Sequence, residues 1–190
     1  LYEKVDLTNH DSVHDALNIF KPDAIVHCAA ERRPDIVSKN TFSAKELNVG
    51  STQCLANWTA IHKVFLLYIS TDYVFDGNNP PYDEQSKPNP LNEYGRQKLA
   101  GEKVVQGTCD DYAVLRVPVL YGRCEFLGEG AIDIILKNLF EATEVSKAIM
   151  SDFEKRCPTH VDDVALAVAY ILGARDKVSK HRSSYQYLAE

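Results

Sequence analysis

Residues 68–77 read YISTDYVFDG, and residues 94–98, which follow a polar loop, read YGRQK. The first stretch ends an apolar run that is typical of a parallel strand covered on both faces, with Thr71 at its carboxyl end. The second stretch predicts a helix in which the phenol of Tyr94 and the ammonium of Lys98 share one face, one turn apart. A hydroxyl, a phenol and an amine are therefore expected together at one edge of a sheet.

Strand and helix patterns alternate along the chain around these stretches. Thr8 or Asn9 can cap a first helix, which the sequence Lys21-Pro22-Asp23 ends. Apolar runs predict strands at residues 24–28, 64–70, 113–117 and 184–188. Helical spacing predicts helices at residues 43–62, 94–105, 130–140 and 162–173, with polar segments at 31–40 and 77–92. The alternation predicts an α/β fold with a doubly wound parallel sheet.

The composition excludes several classes of partner. The net charge is −6 and no basic stripe occurs, so neither nucleic acid nor an anionic membrane surface is an expected partner. No apolar run approaches the length of about 18 residues that a membrane helix needs. The 5 cysteines are odd in number and show no Cys-x-x-Cys spacing. They indicate reduced thiols, which predicts a cytoplasmic protein.

The histidines predict no metal site. No spacing of His, Cys and Asp residues matches a zinc site. His10 and His14 are placed one turn apart on a predicted helix, but a solvated pair is the favoured interpretation.

Thr71, Tyr94 and Lys98 form a set suited to carbonyl chemistry. A free tyrosine has a pKa of about 10, and a nearby ammonium lowers that pKa towards neutrality. Thr71 could orient a substrate oxygen, and a nicotinamide held at the carboxyl edge of the sheet would supply hydride. A Tyr-x-x-x-Lys spacing alone also describes an amphipathic surface pair, but the order of strand, hydroxyl, loop and helix argues against coincidence.

Further stretches extend the pattern over nearly all of the chain: VDL at 5–7, VHCAA at 26–30, LNVGST at 47–52 and LRVPVLYG at 115–122. With residues 68–77 and Tyr94-x-x-x-Lys98, the chain resembles the extended short-chain dehydrogenases/reductases, in the branch of dTDP-4-dehydrorhamnose reductase. Within that branch, three stretches resemble the family of regulatory (beta) subunits of methionine adenosyltransferase. They are HCAAERRPD at 27–35, DGNNPPY at 76–82 and RCPTHVDDVA at 156–165.

The resemblance implies residues for the nucleotide half of a cofactor site. Asp6 and Leu7 would lie beside the adenine. Cys28, Ala29 and Arg32 would line the cleft, with Arg32 as a charge partner for the phosphates. Without the resemblance, the favoured interpretation of Asp6 is a turn carboxylate, that of Arg32 a solvated cation and that of Cys28 a core residue.

The resemblance also implies residues for the nicotinamide half. Tyr94 and Lys98 would hold the nicotinamide ribose, and Leu120 would close that end of the cleft. Asn48 would brace the site. The alternative interpretation of Asn48 is an ordinary polar residue on a helix. Thr71, Tyr94 and Lys98 would be the ancestral catalytic set, whether or not it is still used.

The family opens with a strand and a Gly-x-x-Gly-x-x-Gly turn that receives the pyrophosphate, and this chain has no such run. The sheet is therefore expected to lack its first βαβ unit, and the chain to be part of a longer protein. Residues 1–125 are assigned to a truncated NAD(P)-binding Rossmann domain. Residues 126–190 are assigned to the start of a smaller substrate-type region interleaved with the last Rossmann elements. With half of a cofactor site, this chain alone is not expected to bind NADP or NAD tightly.

Three functions remain open at this stage. The leading hypothesis, from the resemblance, is a regulatory subunit that binds NADP and the methionine adenosyltransferase catalytic subunit, modulating S-adenosylmethionine biosynthesis. The alternative is an NAD(P)H-dependent reductase of a keto-sugar nucleotide, because the Thr71, Tyr94 and Lys98 set is complete. The third is a dinucleotide-dependent scaffold with another partner.

Overall fold

A computed structural model describes residues 3–149, 155–175 and 183–186 of the chain. The described residues divide into two compact units. The first comprises residues up to Arg116 together with 183–186, and the second comprises 117–149 and 155–175. The domain boundary expected at residue 125 stays a prediction.

The first unit is built on a parallel sheet. Its strands are β1 (Ala24–His27), β2 (Phe65–Thr71), β3 (Tyr112–Val117) and β6 (Ser183–Gln186), in the spatial order β1-β2-β3-β6. β1 runs parallel to β2, and β3 runs parallel to β6. These strands confirm the predicted α/β fold. Of the predicted strand at 184–188, the last two residues lie outside the described residues.

Five α-helices belong to the first unit: α1 (His10–Phe20), α2 (Pro34–Lys39), α3 (Thr41–Lys45), α4 (Ser51–His62) and α5 (Glu93–Thr108). The predicted start of α1 is confirmed, because the side chain of Asn9 accepts a hydrogen bond from the Ser12 amide at 3.1 Å. Its end at Lys21 is confirmed too, since that residue takes the left-handed conformation at φ 51°.

Two features differ from the sequence prediction. The segment 31–40, expected to be a polar connection, contains α2, which begins with Pro34 at a position that needs no amide hydrogen. The helix expected at 43–62 is divided by a π-helical turn, Glu46–Gly50. Val37 of α2 is fully buried and packs with Ala44, so tertiary contact stabilises a helix too short for the pattern to show.

The core of the first unit lies where α4 and α5 cover the sheet. One cluster of buried side chains in this region comprises Ala56, Leu66, Tyr68, Val105, Cys109, Tyr112 and Val114. A neighbouring cluster packs Tyr94 against Val37 and Ala44. These contacts hold the first turn of α5 in place, and Tyr94 with it.

The second unit contains a two-stranded parallel sheet of β4 (Leu120–Tyr121) and β5 (Thr159–His160). Its helices are α6 (Asp133–Glu141) and α7 (Val161–Arg175), close to the two predicted helices. In the part of the chain that the structure describes, no helix combines the length and apolar character that a membrane span requires.

Candidate functional site

The carboxyl end of β2 and the first turn of α5 bring Thr71 and Tyr94 together. A single 3₁₀ turn follows Thr71, whose hydroxyl accepts a hydrogen bond from the Tyr73 amide at 3.2 Å. α5 is capped by Asn92, whose side chain accepts a hydrogen bond from the Gly95 amide at 2.8 Å. The Thr71 hydroxyl donates a hydrogen bond to Asp72 Oδ1 at 3.2 Å, and Thr71 lies close enough to Tyr94 to lower the pKa of the phenol. Two members of the predicted set therefore lie near each other.

The environment of Tyr94 disfavours its phenolate. Burial of the ring and the nearby Asp72 carboxylate raise the pKa of Tyr94 to about 12, although Arg32 and Thr71 act in the opposite direction. The sequence predicted that Lys98 would lower this pKa. That expectation is wrong for this structure, because Arg32 is the cation that favours the phenolate.

Lys98 turns towards the sheet. Its side chain is 2% exposed, and its ammonium lies 4.1 Å from the centroid of the Tyr68 ring. Burial lowers the pKa of Lys98 to about 7, against the opposing effects of Glu102 and Cys28. Helical spacing predicts the face on which a lysine lies, but the flexible stem of Lys98 decides which ring its ammonium contacts.

Replacing Lys98 by methionine is expected to stabilise the protein near pH 6, and to do so progressively less towards pH 9. Because burial lowers the pKa of Lys98 from 10.5 to about 7, the unfolded chain binds more protons than the folded chain between those values. The destabilisation due to Lys98 is therefore complete below the folded pKa and fades as the pH rises above it. Melting temperatures of both proteins across this pH range give the measurement.

Lys103→Met provides a matched control, since Lys103 is an exposed lysine on the same helix. Its melting-temperature difference from the wild type should not change with pH. If the melting-temperature difference between Lys98→Met and the wild type were also independent of pH, Lys98 would not have a lowered pKa in the folded protein.

Sequence reasoning missed a buried charge cluster next to Lys98. The Glu102 carboxylate accepts hydrogen bonds from Arg116 Nε at 2.9 Å, from Arg116 Nη2 at 2.7 Å and from the Ser70 hydroxyl at 2.5 Å. Glu102 is 1% exposed and Arg116 is 6% exposed. Two signals could have predicted the pair. Glu102 lies one turn beyond Lys98, and Arg116 is a charged residue within an otherwise apolar strand.

The loop after β1 carries three of the predicted cofactor residues. Cys28 and Arg32 are exposed and Ala29 is partly buried. Asn48, in the π-helical turn, holds this loop: its Oδ1 accepts from the Glu31 amide at 2.7 Å, and its Nδ2 donates to the Glu31 carbonyl at 3.1 Å. π-helical turns often occur at functional sites, and this one directs a fully buried amide at the loop.

The remaining predicted residues lie apart from this cluster in sequence. Asp6 is an exposed turn carboxylate that accepts hydrogen bonds from the Thr8 hydroxyl at 2.7 Å and the Thr8 amide at 2.9 Å. Both bonds lower its pKa. Leu7 packs beside a cluster that includes Val13. Leu120 belongs to β4 of the second unit and is partly buried. Their roles towards a cofactor stay predictions.

Two of the described histidines, His27 and His10, lie beside polar protein groups. His27 is buried, with Nε2 3.0 Å from the Thr52 hydroxyl, and burial lowers its pKa to about 3. His10 Nε2 lies 3.7 Å from a Glu46 carboxylate oxygen. Within the described ranges, no three His, Cys, Asp or Glu side chains are grouped so that they could hold a metal ion.

Comparison with known proteins shows the family to which this chain belongs. The model of the RmlD substrate binding domain matches residues 2–190. Over 166 residues the chain is 48% identical to methionine adenosyltransferase 2 subunit beta of Rattus norvegicus, a match that covers 86% of this chain and 48% of that protein. It is 32% identical over 167 residues to dTDP-4-dehydrorhamnose reductase of Sinorhizobium fredii, covering 87% of this chain and 54% of that protein.

A solved structure supports the same placement. The dTDP-4-dehydrorhamnose reductase of Bacillus anthracis, determined in complex with NADP, aligns with a TM-score of 0.78 and 27% identity. The alignment covers 96% of this chain and 62% of that one. The chain thus spans about half the length of the curated relatives it matches.

Proposed function

Because the chain belongs to the RmlD substrate binding domain family, we propose that it forms part of a regulatory subunit that binds NADP and the methionine adenosyltransferase catalytic subunit. Through that contact it modulates S-adenosylmethionine synthesis. The observation that carries the proposal is a difference in sequence identity between two relatives, measured over alignments of almost equal length. The chain is 48% identical to a protein named as a methionine adenosyltransferase beta subunit, against 32% to a reductase of the same family.

The donor groups at the carboxyl end of β2 support the dinucleotide part of the proposal. The Lys98 ammonium lies 4.1 Å from the centroid of the Tyr68 ring, and it donates no hydrogen bond to another of the described residues. A buried ammonium with unused donors fits the hydroxyls of a ribose. Tyr94 offers a phenol on the same helix, and the Arg32 guanidinium, close enough to act on that phenol, suits a phosphate.

The protonation state of Tyr94 supports regulation in preference to catalysis. A tyrosine that acts as a general acid or base works best with a pKa near the operating pH. Burial and Asp72 instead raise the pKa of Tyr94 to about 12. A phenol in this state serves well as a neutral hydrogen-bond donor to a bound nucleotide.

The test is a co-purification of the full-length native protein with the methionine adenosyltransferase catalytic subunit, with and without NADP. We expect a stoichiometric complex and a changed rate of S-adenosylmethionine formation. A dTDP-4-dehydrorhamnose reductase of the same family, used as bait under identical conditions, is the matched control and should retain no catalytic subunit. A folded, NADP-binding protein that forms no complex would refute the regulatory role.

A second function, reduction of a keto-sugar nucleotide by NAD(P)H, is favoured by one observation. Thr71, at the carboxyl end of β2, lies close enough to Tyr94 to lower the pKa of its phenol, and such a substrate would bind at that edge of the sheet.

Substrate-dependent oxidation of NADPH would support reduction, and Tyr94→Phe should then lower kcat by at least about 100-fold. The same variant should change the NADP dissociation constant by less than about tenfold, because one hydrogen bond is lost. Under the regulatory proposal, neither protein oxidises NADPH with a keto-sugar nucleotide.

A further inference from the structure

Gln97 is a buried amide between two residues of the candidate site. It lies on α5 immediately before Lys98 and less than one turn after Tyr94, and it is 3% exposed. Its Oε1 accepts a hydrogen bond from Asn48 Nδ2 at 2.9 Å. Its Nε2 lies 3.4 Å from both the Thr41 carbonyl and a Glu93 carboxylate oxygen. Gln97 therefore links α5 to the helical segment opposite.

Asn48 completes the link on the other side. It pairs with both backbone groups of Glu31, so its amide is fixed in orientation by two hydrogen bonds to one residue. The second hydrogen of Nδ2 is directed at Gln97. All the donors and the acceptor of this amide, which is 1% exposed, are thus used by protein groups.

The three residues form a clamp, defined here as Glu31, Asn48 and Gln97, between the loop after β1 and α5. Arg32 is the next residue after Glu31, and its guanidinium is close enough to Tyr94 to favour the phenolate. The loop side of the clamp therefore carries Arg32, and the helix side carries Tyr94 and Lys98. The hydrogen bonds of the clamp connect the loop that carries Arg32 to the helix that carries Tyr94 and Lys98.

We propose that Gln97 is a positioning residue of the cofactor cleft, which acts through Asn48 to hold Arg32 at a set distance from Tyr94. The inference rests on the proposed binding of a dinucleotide. Gln97 touches no cofactor in this arrangement. It preorganises the loop, so that the free protein already has the spacing that a phosphate and a ribose require.

Gln97→Met tests the clamp with little change in side-chain volume. The variant leaves one Nδ2 hydrogen of Asn48 buried without an acceptor, so the loop opens more often. In the full-length native protein without nucleotide, hydrogen exchange of the amides at residues 28–33 should rise about tenfold, and NADP should bind about tenfold more weakly.

Gln53→Met is the matched control. Gln53 lies on α4, where its side chain donates to Asn57 at 2.9 Å and to Thr108 at 3.4 Å, outside the clamp. It makes the same chemical change and should alter neither the exchange of residues 28–33 nor the affinity for NADP.

A double variant separates positioning from general destabilisation. If Gln97 acts through Asn48, adding Gln97→Met to Asn48→Ala should weaken NADP binding no further. Effects that multiply, or unchanged exchange at residues 28–33 in Gln97→Met alone, would overturn the inference. A wild-type protein that binds no NADP would refute the proposed function instead. The hydrogen-exchange measurement is made without nucleotide, so it would still test the clamp in that case.

Discussion

Glu102→Gln is expected to lower the free energy of unfolding by about 3–5 kcal/mol, the usual cost of breaking a buried ion pair by removing one partner. Glu102 is 1% exposed and interacts with two buried basic side chains, those of Arg116 and Lys98. It makes two hydrogen bonds with Arg116, at 2.9 and 2.7 Å, and it also favours the charged form of Lys98. A neutral amide would leave Arg116 without a buried counter-charge. Urea unfolding followed by circular dichroism measures the loss.

The cluster also predicts an order of effects. Arg116→Met should destabilise less than Glu102→Gln, because the carboxylate would still have the Lys98 ammonium and the Ser70 hydroxyl as neighbours. Arg116 itself is incompletely satisfied, since its Nη1 is buried and has no hydrogen-bond partner among the described residues. Removing it therefore also removes an unmet donor. The opposite order would contradict a cluster in which one carboxylate serves two cations.

Glu93→Gln makes the same chemical change on the same helix and is the control for this prediction. Glu93 pairs with Arg96 at 2.8 Å on a partly exposed face, where the two side chains are 28% and 52% exposed. Exposed pairs of this kind contribute less than about 1 kcal/mol. A loss for Glu102→Gln that is no larger than the loss for Glu93→Gln would show that Arg116 is solvated or finds another partner.

The parts of this fold that could be predicted from the sequence depend on local patterns. The apolar run before Thr71 predicted β2 within one residue at each end, and the Asn9 cap predicted the start of α1. Patterns of this kind depend on residues close together in the chain. For that reason α5 could be placed from its spacing of Tyr94 and Lys98, and its extension to Thr108 could not.

The parts that could not be predicted depend on partners distant in sequence. Arg116 meets Glu102 across a helix–strand interface, and the ammonium of Lys98 lies over the ring of Tyr68. Neither contact has a periodic signature. The π-helical turn that presents Asn48 was not predicted either, and the bracing role of Asn48 was expected from the resemblance alone. The pKa of Tyr94 is raised mainly by burial of the side chain. That burial depends on packing against Val37 of α2, a helix that the sequence did not predict.

Gly95→Ala is expected to destabilise the protein by about 2–3 kcal/mol and to weaken binding at the site, although alanine is the better helix former. A Cβ at position 95 would lie 2.3 Å from the Tyr73 carbonyl oxygen and 3.1 Å from Pro90 Cβ. The carbonyl belongs to the backbone next to Thr71, so no side-chain rotation relieves the clash. The first turn of α5 must move away from β2, and Tyr94 moves with it. Urea unfolding and NADP titration of the full-length protein measure both losses.

Gly107→Ala separates the clash from the helix propensity. Gly107 lies on the same helix, and a Cβ there has no atom within 4 Å. The substitution should therefore stabilise the protein by about 0.5–1 kcal/mol, the usual gain for replacing an unhindered helical glycine. If both variants stabilise equally, α5 is not held against the Tyr73 carbonyl, and the proximity of Thr71 and Tyr94 does not depend on close packing at Gly95. If Gly95→Ala destabilises the protein and Gly107→Ala stabilises it, the steric constraint lies at the first turn of α5, which carries Tyr94.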